Sequence, residues 1–139
     1  MGQQQLLLII VGTVIVGIAI AVAISLFNSQ ASATNRDEVT NDLAQLATVA
    51  QAYYRKPRIL AGGGRSFGGL RLRDLTSSPN NPRNLNGNYS LVPDPVGGNP
   101  PFVTLMGEGT EVGNNGVDRV KVVMYVFPDS ISVDMSLGN

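Results

Sequence analysis

The sequence predicts an α+β protein. A long N-terminal α-helix, apolar in its first half and amphipathic in its second, packs on a small C-terminal antiparallel β-sheet of three to four strands. Three observations carry this. Leu6–Phe27 is a run of 22 residues without a charge. From Val39 onward apolar residues recur at helical spacing. From Tyr89 the apolar runs become short, β-branched and aromatic, separated by Gly, Pro and Asn clusters. The chain therefore divides into an apolar helix (1–30), an amphipathic helix (31–56), a Gly/Arg/Asn-rich loop region (57–88) and a β-sheet head (89–139).

The apolar run begins almost at the N-terminus, and the first ionisable side chain is Arg36. As a helix it is about 33 Å long, enough to cross the hydrocarbon of a bilayer. Each Leu, Ile or Val buried there contributes roughly 1.5–3 kcal/mol relative to water. The run therefore needs either lipid or other copies of itself. Gly12 and Gly17 weaken the helix locally and let another backbone approach, and no proline precedes Pro57. The segment lacks the basic residues that open a secretory signal, and its apolar stretch exceeds the usual 7–15 residues. Ala31-Ser32-Ala33 does fit a small-residue cleavage pattern. Met1-Gly2 does not continue as a myristoylation signal, because Leu6 stands where Ser or Thr is required.

Beyond Phe27 the helix continues with a different surface. Val39, Leu43, Leu46, Ala50 and Tyr53 follow 4-3-4-3 spacing, with Ala47 and Tyr54 widening the stripe. Arg36, Asp37, Glu38, Asn41, Asp42, Gln45 and Gln51 are assigned to the opposite, solvent face. Pro57 disfavours helix in the residue before it, which places the end at Lys56 and gives one helix of about 50 residues.

Ala61–Gly69 reads as a flexible loop anchored by Phe67. It lacks the Gly-Lys-Ser/Thr ending of a phosphate cradle. Leu70–Leu75 reads as a short strand or turn, and Thr76–Asn88 as irregular loop. Strands are expected at Tyr89–Val92, at Phe102–Met106 with an extension towards Val112, at Val117–Phe127 and at Ile131–Leu137. In the last, Ile131, Val133, Met135 and Leu137 alternate with polar residues. The apolar face of this meander requires a cover, and the Val39–Tyr53 stripe is the available one.

The net charge is zero, which gives no global field for nucleic acid. The charges are nevertheless segregated. The balance is +6 over Arg55–Arg83, −4 from Asp94 to the end and −2 over Arg36–Asp42. Solvated loops account for this, as does a basic belt on one subunit facing an acidic patch on another; DNA is a further candidate for the belt without support from the total charge. The chain has no His and no Cys, so it lacks the commonest general base, the commonest metal ligand and any thiolate site. Asp129 with Asp134, and Asp37 with Glu38, read as solvated or turn residues. No enzyme, cofactor or metal centre is expected. Asn88-Tyr89-Ser90 fits a glycosylation acceptor.

An uncharged helical tail running into an amphipathic half that packs on a C-terminal antiparallel sheet resembles a bacterial type IV pilin. The layout likeness covers the whole chain, while the motif likeness is confined to about the first 55 residues. The start MGQQQLLLIIVG is similar to the family's FTLIELMIVI-type start, with two departures. Gln5 stands where that family usually carries a glutamate that answers a neighbour's N-terminal amine. Val22 stands where many members carry a helix-breaking proline. The resemblance implies a homopolymeric helical filament on the cell surface, held by Met1, Gln5, Leu6, Leu7, Leu8, Ile9, Ile10, Gly12, Gly17 and Phe27. It also implies storage of the subunit in the inner membrane, handling by pilus assembly machinery and a prepilin peptidase, and roles such as adhesion or motility. The mature N-terminus would be Met1, or Gln3 after cleavage behind Gly2. Minor pilins, secretion pseudopilins and single-pass anchored binding domains share the layout and remain as alternatives.

Overall fold

A computed structural model of the chain describes residues 2–77 and 82–135. Met1, the middle of the expected Thr76–Asn88 loop and the end of the expected Ile131–Leu137 strand lie outside the described residues. The chain forms two compact units, Met1–Ala31 and Ser32–Asn139. One helix, α1 (Gly2–Arg55), contributes to both. It ends one residue before Lys56, as Pro57 requires.

In the second unit, α1 packs on a four-stranded antiparallel meander. Its strands are β1 (Gly87–Val92), β2 (Val103–Val112), β3 (Arg119–Val126) and β4 (Ile131–Asp134), paired in sequence order. Tyr89 and Leu91 of β1, Val103 and Leu105 of β2, and Val120, Val122, Met124 and Val126 of β3 join the core with the helix. Val39, Leu43 and Ala50 are fully buried as expected, but Leu46 and Tyr53 are only partly buried. Ala47 takes the central place instead. Its methyl group lets the helix sit close to the strands, while the larger Leu46 lies to the side beside Leu75 and Tyr89.

The helix can sit this low because β2 is glycine where the two cross. A Cβ on Gly107 would come within 2.5 Å of Val39 Cγ1 and 3.2 Å of Leu43 Cδ1. A Cβ on Gly109 would overlap Asn35 Oδ1. β2 also changes register against β3 between Glu108 and Val112, so the strand bends as it passes beneath the helix.

Three sequence expectations need correction. Leu70–Leu75 is neither strand nor simple turn: α2 (Leu72–Leu75) is a single helical turn, started by Asp74 Oδ2 accepting from the Arg71 amide at 3.0 Å. The first strand begins at Gly87, inside the expected loop, because Asn84 Oδ1 accepts from the amides of Asn86 and Gly87 and turns the chain into the sheet. The third strand begins at Arg119, because Asn115 Oδ1 captures the amides of Val117 and Asp118 in a turn.

The expected cover of the sheet is incomplete. Val133 lies opposite Met124, and Ile131 opposite Val126, on the helix side of the sheet. Yet Ile131, Val133 and Met135 remain 37–42 % exposed. A helix about 10 Å wide spans roughly two strands spaced 4.7–4.9 Å apart. The β1 edge gains further cover from Phe67, Leu70, Leu75 and Val96, and β4 lies past the helix.

Gly107→Ala is expected to lower stability by about 1–3 kcal/mol by forcing the helix off β2. The comparison is of urea midpoints for the full chain in detergent; an unchanged midpoint contradicts the close approach.

Candidate functional site

The first candidate surface is the tail of α1. Leu6, Leu7, Leu8, Ile9 and Ile10 are consecutive, so together they circle the helix, and all are 61–70 % exposed. Phe27 is exposed as well. Thr13 satisfies its own hydroxyl by donating to Ile10 O at 2.8 Å, so it adds no unpaired donor to the apolar surface. Gln5 is exposed on the same segment. A Cβ at Gly12 or Gly17 would meet nothing within 4 Å, which leaves each as a shallow notch open to another backbone. By length and composition this helix is able to cross a membrane. Among the expected assembly residues, Met1 lies outside the described residues.

The second candidate is the polar seam by which α1 holds the sheet. Ser32 and Asn35 are both buried. Ser32 Oγ donates to Val112 O at 2.7 Å. Asn35 Nδ2 donates to Asn86 O at 2.8 Å, and Asn35 Oδ1 accepts from the Glu111 amide at 3.2 Å. One amide side chain thus ties β2, next to its register change, to the turn that leads into β1. The sequence reading missed both residues. The signal was present, because stepping back from Val39 by four and then three residues keeps the phase of the stripe and lands on them.

Asp42 and Gln51, assigned to solvent from the sequence, also belong to the seam. Gln51 Nε2 donates to Phe127 O at 3.0 Å, where β3 turns towards β4. Asp42 Oδ2 accepts from Tyr89 Oη at 2.5 Å, Asn84 Nδ2 at 2.7 Å and Asn86 Nδ2 at 2.9 Å. Burial works against the Asp42 carboxylate, but the three donors, Tyr89 foremost, outweigh it and hold its pKa below the ordinary 3.8. Burial pushes the Tyr89 hydroxyl well above its ordinary 10.0, and the hydrogen bond to Asp42 and that carboxylate's charge push it further.

The Gly-rich loop has a structural task at the other end of the seam. The amides of Gly63, Gly64 and Arg65 donate to the carbonyls of Tyr53, Lys56 and Tyr54 at 2.8–2.9 Å. Those of Tyr53 and Tyr54 belong to the last turn of α1, whose carbonyls lack i+4 helical donors. Phe67 and Leu70 anchor the loop in the core. Phe67 lies 4.8 Å from the Tyr54 ring, and Tyr53 Oη donates to Gly68 O at 3.2 Å. Both tyrosines are half-buried. Asn88, the possible glycosylation acceptor, is exposed on the edge strand β1.

The seam holds the helix to the sheet, whereas the large apolar side chains of the tail stand exposed. Among the described residues, no group of three or more His, Cys, Asp and Glu side chains converges as a metal site. No family model matches the chain, no curated protein does, and no solved structure does.

Two outcomes follow for the seam. Asn35→Leu leaves Asn86 O and the Glu111 amide short of a partner and is expected to cost about 1–3 kcal/mol by denaturant unfolding; no change removes Asn35 from the seam. Asp42 has a lowered folded pKa, so its contribution is present above about pH 3.8 and is lost as pH falls through the folded value. Tyr89 has a raised one, so its contribution is present below about pH 10.0 and is lost at higher pH. Tyr89→Phe therefore destabilises at pH 7 by about 1.5–3 kcal/mol, with the deficit shrinking in strong acid. A deficit independent of pH contradicts the Tyr89–Asp42 link.

Proposed function

We propose that the chain is the structural subunit of a type IV pilus-like helical filament on the cell surface. The observation that supports this reading most is the tail. More than a dozen exposed Leu, Ile and Val side chains circle a charge-free helical segment, and the same α1 goes on to form one layer of a folded head. Bundling the tails of many copies removes that surface from water at roughly 1.5–3 kcal/mol per side chain. A bilayer accommodates the same surface almost equally well. A subunit with that near-balance can be stored in the inner membrane and transferred by an assembly machine without a large free-energy gap. Addition of copies by a contact that does not close on itself yields a fibre.

In this reading Gln5 supplies a neutral acceptor for the terminal amine of a neighbour, which an apolar bundle could not leave unpartnered. Gly12 and Gly17 provide the notches for close tail packing. The tail is also long enough to anchor a head that never polymerises, and this membrane-anchored form is the second reading.

Electron microscopy of detergent-free surface shearings, with sequencing of the fibre subunit, separates the two. The filament reading expects long fibres built mainly of this chain; the anchored reading expects membrane-bound monomers and no fibre. Gln5→Ala is expected to cut fibre yield about tenfold or more, the loss corresponding to about 1.4 kcal/mol per subunit addition. Normal yield removes Gln5 from the assembly contact.

A further inference from the structure

The head unit has two ends along α1, and they differ in charge. At the Arg55 end lie Arg55, Lys56, Arg58, Arg65, Arg71 and Arg73, all exposed. The acids there are Asp74, beside Arg73 at 3.9 Å, Asp129, beside Arg55 at 3.8 Å, and Asp94, which accepts from the Leu72 amide. The balance is +3. At the Ser32 end, the β2–β3 turn is tied to the helix through Ser32 and Asn35. There Asp37, Glu38, Glu111 and Asp118 stand against Arg36 and Arg119, a balance of −2. Around Asn88 lie Arg83 on one side and Glu108 with Lys121 opposite it on the other, and Asp42 is held there by Asn84 and Asn86; these four charges cancel and leave that balance unchanged. From Asp37 to Lys56 the helix rises about 28 Å, so the two ends are well separated within the head.

Each end also presents an apolar tip among its charges. At the basic end Ile59 is 92 % exposed, next to exposed Leu60, on the single 3₁₀ turn Arg58–Leu60. At the acidic end Val117 is 81 % exposed, near exposed Val112. Neither tip serves the core, and the backbone beneath each is fixed. The Arg58–Leu60 turn is closed by the Leu60 and Ala61 amides. The β2–β3 turn is held by Asn115 and by the Gly113 amide donating to Asp118 O.

We infer that the basic end of one head docks on the acidic end of a second copy, Ile59–Leu60 against Val112–Val117, as a head-to-tail contact. This deepens the filament reading and rests on it. The two surfaces differ, so the contact is heterologous and repeats from copy to copy without closing. The apolar tips supply contact area. The charges, exposed and individually weak, set polarity by making like ends repel. The occupant is a second copy because the complement in charge and in apolar character is present on this chain itself.

The test uses the full chain, which has no native cysteine. Ile59→Cys and Val117→Cys are placed singly and together, and surface material and bilayer-reconstituted protein are treated with a short bismaleimide. The double variant is expected to give a ladder of three or more linked copies, and each single variant dimers at most. Raising salt from about 0.1 M to 1 M, which shortens the screening length from about 10 to 3 Å, is expected to reduce the ladder several-fold. Fibres of the double variant without a ladder overturn this contact and leave the filament reading standing. A ladder in bilayers without fibres supports the contact and contradicts the filament. Neither ladder nor fibre overturns both. Arg58→Glu with Arg65→Glu should abolish the ladder, and adding Glu111→Lys with Asp118→Lys should restore it; failure of that rescue overturns the role given to charge.

Discussion

A helical surface of 22 uncharged residues, hydrocarbon on every side, governs what this chain can be. Water penalises it, and its large apolar side chains stand exposed in a single copy. In the proposed filament other tails cover it, and in a bilayer lipid would; either cover is itself apolar. The few features that break the uniformity therefore matter. Thr13 closes its hydroxyl on its own helix at Ile10 O. Gly12 and Gly17 open notches. Gln5 offers a neutral polar group where a charge would be costly to bury.

The head solves a different problem with the other half of the same helix. One helix is too narrow to cover four strands, so small residues bring it close to the centre of the sheet and other segments roof one side. Gly107, Gly109 and Ala47 set the approach, while Phe67, Leu70 and Leu75 extend the core beyond the helix. Polar side chains then fix the helix along its length, from Ser32 and Asn35 through Asp42 to Gln51. The Gly-rich loop completes the helix end by answering its free carbonyls. The glycine amides there serve backbone hydrogen bonding.

Long, strongly patterned elements were legible in the sequence. The extent of α1, the meander order and the burial of Val39, Leu43 and Ala50 follow from periodicity and from turn chemistry at Asn, Gly and Pro. What escaped was polar chemistry at the helix–sheet boundary. Asp42 and Gln51 look like solvent residues on a helical wheel, and only their distant partners Tyr89, Asn84 and Phe127 bring them inward. Ser32 and Asn35 were in phase with the stripe but polar, so a search for apolar residues passed over them. The alternation in β4 was correct in facing and wrong in burial, because a pattern within one strand does not reveal how far a helix reaches across the sheet. For the tail, the sequence specifies an apolar surface and leaves its cover to be found outside the chain.

That cover can be identified directly. A photoreactive side chain at Ile15, midway along the apolar run, would be activated in surface-sheared material and in membranes, and its adducts identified by mass spectrometry. Adducts between the tails of two copies of this chain in the sheared material are the predicted result. Adducts to acyl chains alone, in every fraction that contains the protein, would contradict the account.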